Sequence, residues 1–194
     1  MARESKDSIR DKILQAAEKR FWHFGIKKTT IDDIAADAKI GKGTVYLHFE
    51  SKEEVALAII TQYKEKVLVD QEAVAIDTTL PVLERIKRVL SLPVAVAHER
   101  CRQSPVVVEI ILAVKPQLSV RIRELFVREV MLITGLIEEA NLSGDMHVDN
   151  PAEAARVIKT ATLNYLPTGT ACGMIDDPVC EISRLVELVF HGLK

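Results

Sequence analysis

Residues able to do chemistry crowd into one short stretch, "TTIDDIAADAKIGKGTVYLHFESKEE", residues 29–54. Lys42, Thr44, Tyr46 and His48 alternate with other residues after Gly41 and Gly43, and Ser51-Lys52 follows at once. Ammonium, hydroxyl, phenol and imidazole groups donate hydrogen bonds to phosphate oxygens and to base edges. Bulk near those donors would hold a ligand off, and the glycines remove it. Thr30 and Ser51 each stand three residues before an acidic side chain, Asp33 and Glu54, which marks two capped helix starts. A helix start carries the positive end of a dipole and can hold a phosphate, and Lys52 sits at the second of them. The donors suit the binding of a polyanion.

Other candidates are weaker. His98 and Cys101, in "HERC", lie one helical turn apart, a spacing that permits joint metal ligation; with no third ligand nearby the structural reading is favoured and no metal is expected. Glu109 is the one polar residue in "VVVEIILAV" (106–114), expected to be a central buried helix. A carboxylate there needs a partner. It could hold a cationic or hydrogen-bond-donating effector, or sit at an edge or in an internal ion pair. Asn164 and Tyr165 could reach a cavity from a later helix. Neither an HExxH zinc motif nor a phosphate-binding Gly-x-x-x-x-Gly-Lys-Ser/Thr loop occurs, "GKG" at 41–43 being far too short for one, and no nucleophile with a matching base is evident. No cofactor is expected, and the chain is not expected to be an enzyme.

The elements that must position these residues all read as helix. Ile9, Ile13, Ala16, Ala17, Phe21 and Phe24 recur three or four apart up to a stop at Gly25, with Phe21, Trp22 and Phe24 read mostly as core. Ile31, Ile34, Ala35 and Ala38 form a second stripe, residues 41–49 a third short helix, and a long helix opens after Ser51. Residues 80–102 read as one helix kinked at Pro93, and Lys115-Pro116 is expected to end the next. A helix from Gln117 to Asn141, one from Asn150-Pro151 to about Leu166, and a last one from Asp177-Pro178 complete an all-α chain.

The 194 residues suffice for a real core, with 48% hydrophobic and 28% charged side chains. Residues 1–52 hold 11 basic against 8 acidic side chains, a balance of +3, whereas residues 53–194 stand at −5. The asymmetry permits a polyanion partner for the N-terminal part alone. No apolar run reaches membrane-spanning length, and the polar start "MARESKDSIRDK" has no signal core. Cys101, Cys172 and Cys180 are too few for a disulfide framework and are expected as thiols in or near the core, in the cytoplasm.

Short helix, tight turn, short helix is a helix-turn-helix layout. Together with the preceding "ILQAAEKRFWHFGIKKTT", the stretch resembles the DNA-binding segment of TetR-family (tetracycline-repressor-like) regulators over about residues 8–60. The resemblance implies a three-helix helix-turn-helix domain at 1–52 and a helical effector-binding and dimerisation domain at 53–194. It places Lys42, Gly43 and Thr44 against bases, Tyr46 and His48 on phosphates and sugars, and Thr30 and Lys52 on the backbone at either side. It puts an effector pocket among the middle helices, to which His98, Cys101, Glu109, Asn164 and Tyr165 are assigned. The last two helices would form a homodimer, with Ala154, Val157, Ile158, Ala161, Leu185, Val186, Leu188 and Val189 as candidate faces. The partners implied are a double-stranded DNA operator and an unidentified small-molecule effector, with no membrane. Two departures stand out: Lys39 occupies a turn position usually held by Gly, at a strain of roughly 1 kcal/mol if its backbone is left-handed, and Gly41 replaces a capping Ser. The rival readings are a constitutive DNA binder without an effector and a helical enzyme.

Overall fold

A computed structural model describes residues 6–170 and 173–191. Among the described residues the chain is all-α: α1 (Lys6–Lys28), α2 (Ile31–Asp37), α3 (Lys42–Tyr46), α4 (Lys52–Ala75), α5 (Val82–Gln103), α6 (Val106–Arg121), α7 (Arg123–Ser143), α8 (Pro151–Thr162), a 3-10 turn at Leu163–Tyr165, and α9 (Pro178–His191). Cys172 lies outside the described residues, and Cys101 and Cys180 are half-buried. The chain divides into two compact units, one reaching to Tyr63 and including Cys101–Arg121, the other made of Lys64–Arg100 and the residues from Ile122 onward.

In the first unit α1 buries Ile13, Ala16, Ala17 and Phe21, the spacing that makes one helical face. It breaks at Gly25, whose φ of 80° and ψ of 160° only glycine adopts with ease. Phe24 is 48% exposed rather than core. The helix breaks one residue later, and the ring lies under the Arg20 guanidinium, 5.4 Å from its centroid. Trp22 is half-buried, its indole N–H donating to Glu18 at 3.0 Å.

α6 also belongs to this unit and packs against α1. It is not the central buried helix its composition suggests. Val107, Ile110, Val114 and Leu118 form one buried stripe, while Leu112 (51%) and Val120 (70%) face solvent. Nor does Pro116 end it. The proline removes the bond its N–H would make to the Leu112 carbonyl, but both residues are exposed and water can serve that oxygen. The break comes instead at Ile122, φ −90° and ψ 3°.

In the second unit Ile86, Val89, Leu90, Ile133, Ile137, Ile158, Ile182 and Val186 close around one core. Pro93 lies inside α5 with the Val89 carbonyl four residues back deprived of its helical donor. Buried Gln71 of α4 supplies the substitute, Nε2 donating to Val89 O at 2.7 Å. The Gln71 Oε1 is left buried without a partner. Arg85, 4% exposed, spans to the Ala75 carbonyl at 2.8 Å and to Glu139. Gly144, left-handed at φ 80°, ends α7, and Asn150 caps α8 by accepting the Glu153 N–H at 3.1 Å. Of the candidate dimer faces, Ile158 and Val186 belong to this core because they sit on the inward stripes of α8 and α9. Val157, Leu188 and Val189 are exposed.

Candidate nucleic-acid interface

The geometry of α2, the turn and α3 follows from local chemistry. Thr30 caps α2 with a reciprocal box: its hydroxyl accepts the Asp33 N–H at 3.2 Å, and the Asp33 carboxylate accepts the Thr30 N–H at 3.0 Å. The Thr30 hydroxyl also donates to that carboxylate at 2.8 Å, and this bond first, then the Thr30 N–H, holds the Asp33 carboxyl below the usual carboxylate range. At the other end the Ile40 N–H bonds Ala35 O at 3.0 Å and the Lys39 N–H bonds Ala36 O at 3.1 Å. This pattern is a Schellman motif, which demands a left-handed residue before Ile40. Lys39 takes that conformation with φ 56°, so the strain of roughly 1 kcal/mol is present.

Gly41 then caps α3 without a side-chain bond. Val45 and Phe49 are buried along with Ile34 and Ala35, and together they anchor the short helix from behind. Its other side faces out: Lys42, Gly43 and Tyr46 are exposed, Tyr46 by 50%, while Thr44 and His48 are half-exposed. No atom lies within 4 Å of where a Gly43 side chain would begin, so that face has open space in front of it.

Three ties absent from the sequence reading set the scaffold. Arg20 of α1 makes a two-pronged bond to Asp37 of α2, at 2.5 and 3.0 Å, and reaches Asp33 at 3.5 Å. The Arg20 bond draws the Asp37 carboxyl below its ordinary value. Lys42 pairs with Asp32 across the turn at 2.8 Å, a hydrogen bond that raises its ammonium above the usual lysine range. The ammonium stays charged at neutral pH and is held beside the exposed face of α3. The residues are 17 and 10 apart, distances at which no periodic pattern advertises a contact.

At the start of α4 the second cap is shifted by one residue. Ser51 Oγ accepts the Glu54 N–H at 3.1 Å, but the Glu54 carboxylate takes the N–H of Glu50, at 2.6 Å. Lys52 is half-buried and donates to the carbonyls of Lys27 (3.3 Å) and Thr29 (3.0 Å). Its ammonium therefore ties α4 to the chain leaving α1, with one of its three protons remaining for a phosphate.

The residues assigned to an effector pocket are divided between the two units. His98 Nε2 meets the Tyr165 backbone carbonyl at 2.7 Å in the second unit. Asn164 is exposed and occupied locally, by Ala161 O at 3.4 Å and Thr170 Oγ1 at 3.0 Å. Cys101 and Glu109 belong to the first unit. There Glu109 lies against Gly25, its Oε2 being 3.6 Å from where a Gly25 side chain would start. A shallow apolar crevice beside Phe21, Trp22 and Ile110 encloses no space for a ligand. Among the described residues no three His, Cys, Asp or Glu side chains gather as metal ligands, and no helix is long and apolar enough to cross a membrane.

Residues 13–59 match the family model described as bacterial regulatory proteins, tetR family. The uncharacterized HTH-type transcriptional regulator YhgD of Bacillus subtilis is 41% identical over 78 residues, which is 40% of this chain and only 40% of that protein's own length. The HTH-type transcriptional repressor BepR of Brucella suis is 26% identical across 95% of this chain and 91% of its own. A TetR/AcrR-family regulator of Thermobifida fusca shares the fold over 92% of this chain and 96% of its own, with a TM-score of 0.71 at 23% identity. The segment matched by the family model holds both helices, the strained turn and every buried anchor described above, so residues 13–59 are similar to the DNA-binding segment of the tetR family of bacterial regulatory proteins.

Proposed function

We propose that the chain is a sequence-specific, ligand-responsive DNA-binding transcriptional regulator that represses from a palindromic operator. The observation that carries this reading is the outward face of α3, with Lys42, Gly43 and Tyr46 exposed over a buried Val45–Phe49 anchor and nothing in front of Gly43. Lys42, Gly43 and Thr44 approach base edges, Tyr46 and His48 contact phosphates and sugars, and Thr30 and the remaining proton of Lys52 hold the backbone on either side. Two copies related by a two-fold axis put their α3 helices into successive major grooves, about 34–36 Å apart.

Exposed Val157, Leu188 and Val189 on α8 and α9 support pairing through the last two helices. BepR is named a repressor, which favours repression here. An effector held in the second unit would act through α4, the helix that runs from Lys52 at the interface into that unit. A preference of roughly 1–3 kcal/mol for one conformation changes DNA affinity 5–150-fold.

Selection of bound genomic fragments followed by salt titration tests the reading. Lys42→Ala should change preference at particular base pairs, whereas Tyr46→Ala should weaken every sequence alike and flatten the salt dependence. Unchanged binding in both variants refutes these contacts.

A further inference from the structure

We propose that Leu47 is a specificity-determining residue, which reads the 5-methyl group of a thymine in each half of the operator by apolar contact in the major groove. The role deepens the DNA-binding reading above and rests on it.

Leu47 is 83% exposed, whereas Val45 and Phe49 on either side of it in the chain are buried. It ends α3 in helical conformation, φ −71° and ψ −17°, and its N–H bonds Gly43 O at 3.2 Å. It therefore stands one turn after Gly43 on the same side of the helix. At about 100° per residue, Leu47 leaves the helix directly opposite the buried Val45–Phe49 stripe. Gly43 and Thr44 are its nearest companions on that outermost face. Tyr46 and His48 leave from the two flanks, where the walls of a groove would be. Leu47 lies between them, over the floor.

A leucine in a helix leans back toward the helix start. Here that direction leads over Gly43, which has no side chain and nothing within 4 Å of where one would begin. The apolar group thus stands where the backbone of α3 can come nearest the bases. The major-groove edge of every base pair carries hydrogen-bonding groups, and thymine alone adds an apolar one, its methyl. A leucine pressed against guanine O6 and N7, or against a cytosine amino group, displaces their water and offers no bond in return. Against a thymine methyl it withdraws apolar surface from water on both partners. A side chain with neither donor nor acceptor can in this way choose between bases, beside the donors of Lys42 and Thr44.

The test replaces thymines one at a time by deoxyuridine, which lacks only that methyl, in the duplex selected from genomic fragments. Affinity of the full chain is read by fluorescence anisotropy. One symmetry-related pair of thymines should stand out, with wild-type binding falling about fourfold for each half-site altered, the worth of one buried methyl. Leu47→Ala should bind the thymine duplex more weakly and lose the difference between thymine and deoxyuridine. It should melt as the wild type does, since the side chain it trims is exposed. Leu47→Met keeps an apolar end and should keep the difference. A scan without a sensitive thymine, or a sensitivity that survives Leu47→Ala, overturns the thymine contact and leaves the DNA-binding reading standing. Failure to retain any duplex overturns both.

Discussion

Gln71 and Pro93 should depend on each other for their effects on stability. Gln71→Leu strips the Val89 carbonyl of its side-chain donor, since Pro93 cannot supply the helical one. An unsatisfied buried carbonyl costs about 1–3 kcal/mol. The same substitution removes Oε1, already buried without a partner, which offsets about 1 kcal/mol. The expected net loss is about 0–2 kcal/mol, at most about 8 °C in melting temperature for a chain of this size. In a Pro93→Ala background the backbone N–H returns and bonds Val89 O within the helix. Gln71→Leu then costs nothing, and the relief of Oε1 is common to both backgrounds, so the coupling is about 1–3 kcal/mol. Urea unfolding of the four proteins by far-UV circular dichroism measures it. An equal cost of Gln71→Leu in both backgrounds would refute the reasoning, because the bond would then not be a substitute for the one proline removes.

Gly43→Ala separates folding from function: with nothing within 4 Å the added methyl is free, and the better helix former should leave the protein as stable or up to about 0.5 kcal/mol more so. DNA affinity by fluorescence anisotropy should nonetheless fall about tenfold, from overpacking against the groove. Gly25→Ala should destabilise by about 1–3 kcal/mol through backbone strain alone, since its nearest neighbours at 3.6–3.8 Å leave room; calorimetry checks the value. Asp33 and Asp37 have folded carboxyl values below the ordinary 3.8, so they contribute stability that is complete above about pH 4 and is lost as pH falls through the lowered values. Melting followed from about pH 5 downward should fall in that window, less steeply in Asp37→Asn.

The recognition segment was legible because its determinants are local. Thr30 with Asp33, Gly25, and the stripe of Ile34, Val45 and Phe49 lie within a few turns of one another, and each structural role follows from side-chain chemistry and period. The strain expected at Lys39 is present for the same reason. The sequence misled where solvent or a distant residue decides the outcome. An apolar run such as 106–114 reads as buried on all sides, but its neighbours cover only one face of α6. Pro116 stays helical because water can serve the freed carbonyl, whereas Pro93, expected inside its helix, has that carbonyl served by Gln71. The effector residues were chosen by type, and their actual bonds are ones the sequence did not advertise: His98 reaches the Tyr165 carbonyl, Glu109 lies against Gly25, and Asn164 closes a turn. The ties that hold the scaffold, Arg20–Asp37 and Lys42–Asp32, carry no periodic signature.

Chemical footprinting of a selected duplex tests the central claim most directly. Two guarded major-groove patches on one face of the DNA, about 34–36 Å apart and both lost with Tyr46→Ala, are expected. Protection confined to the minor groove, a single patch, or a footprint indifferent to Tyr46→Ala would contradict it.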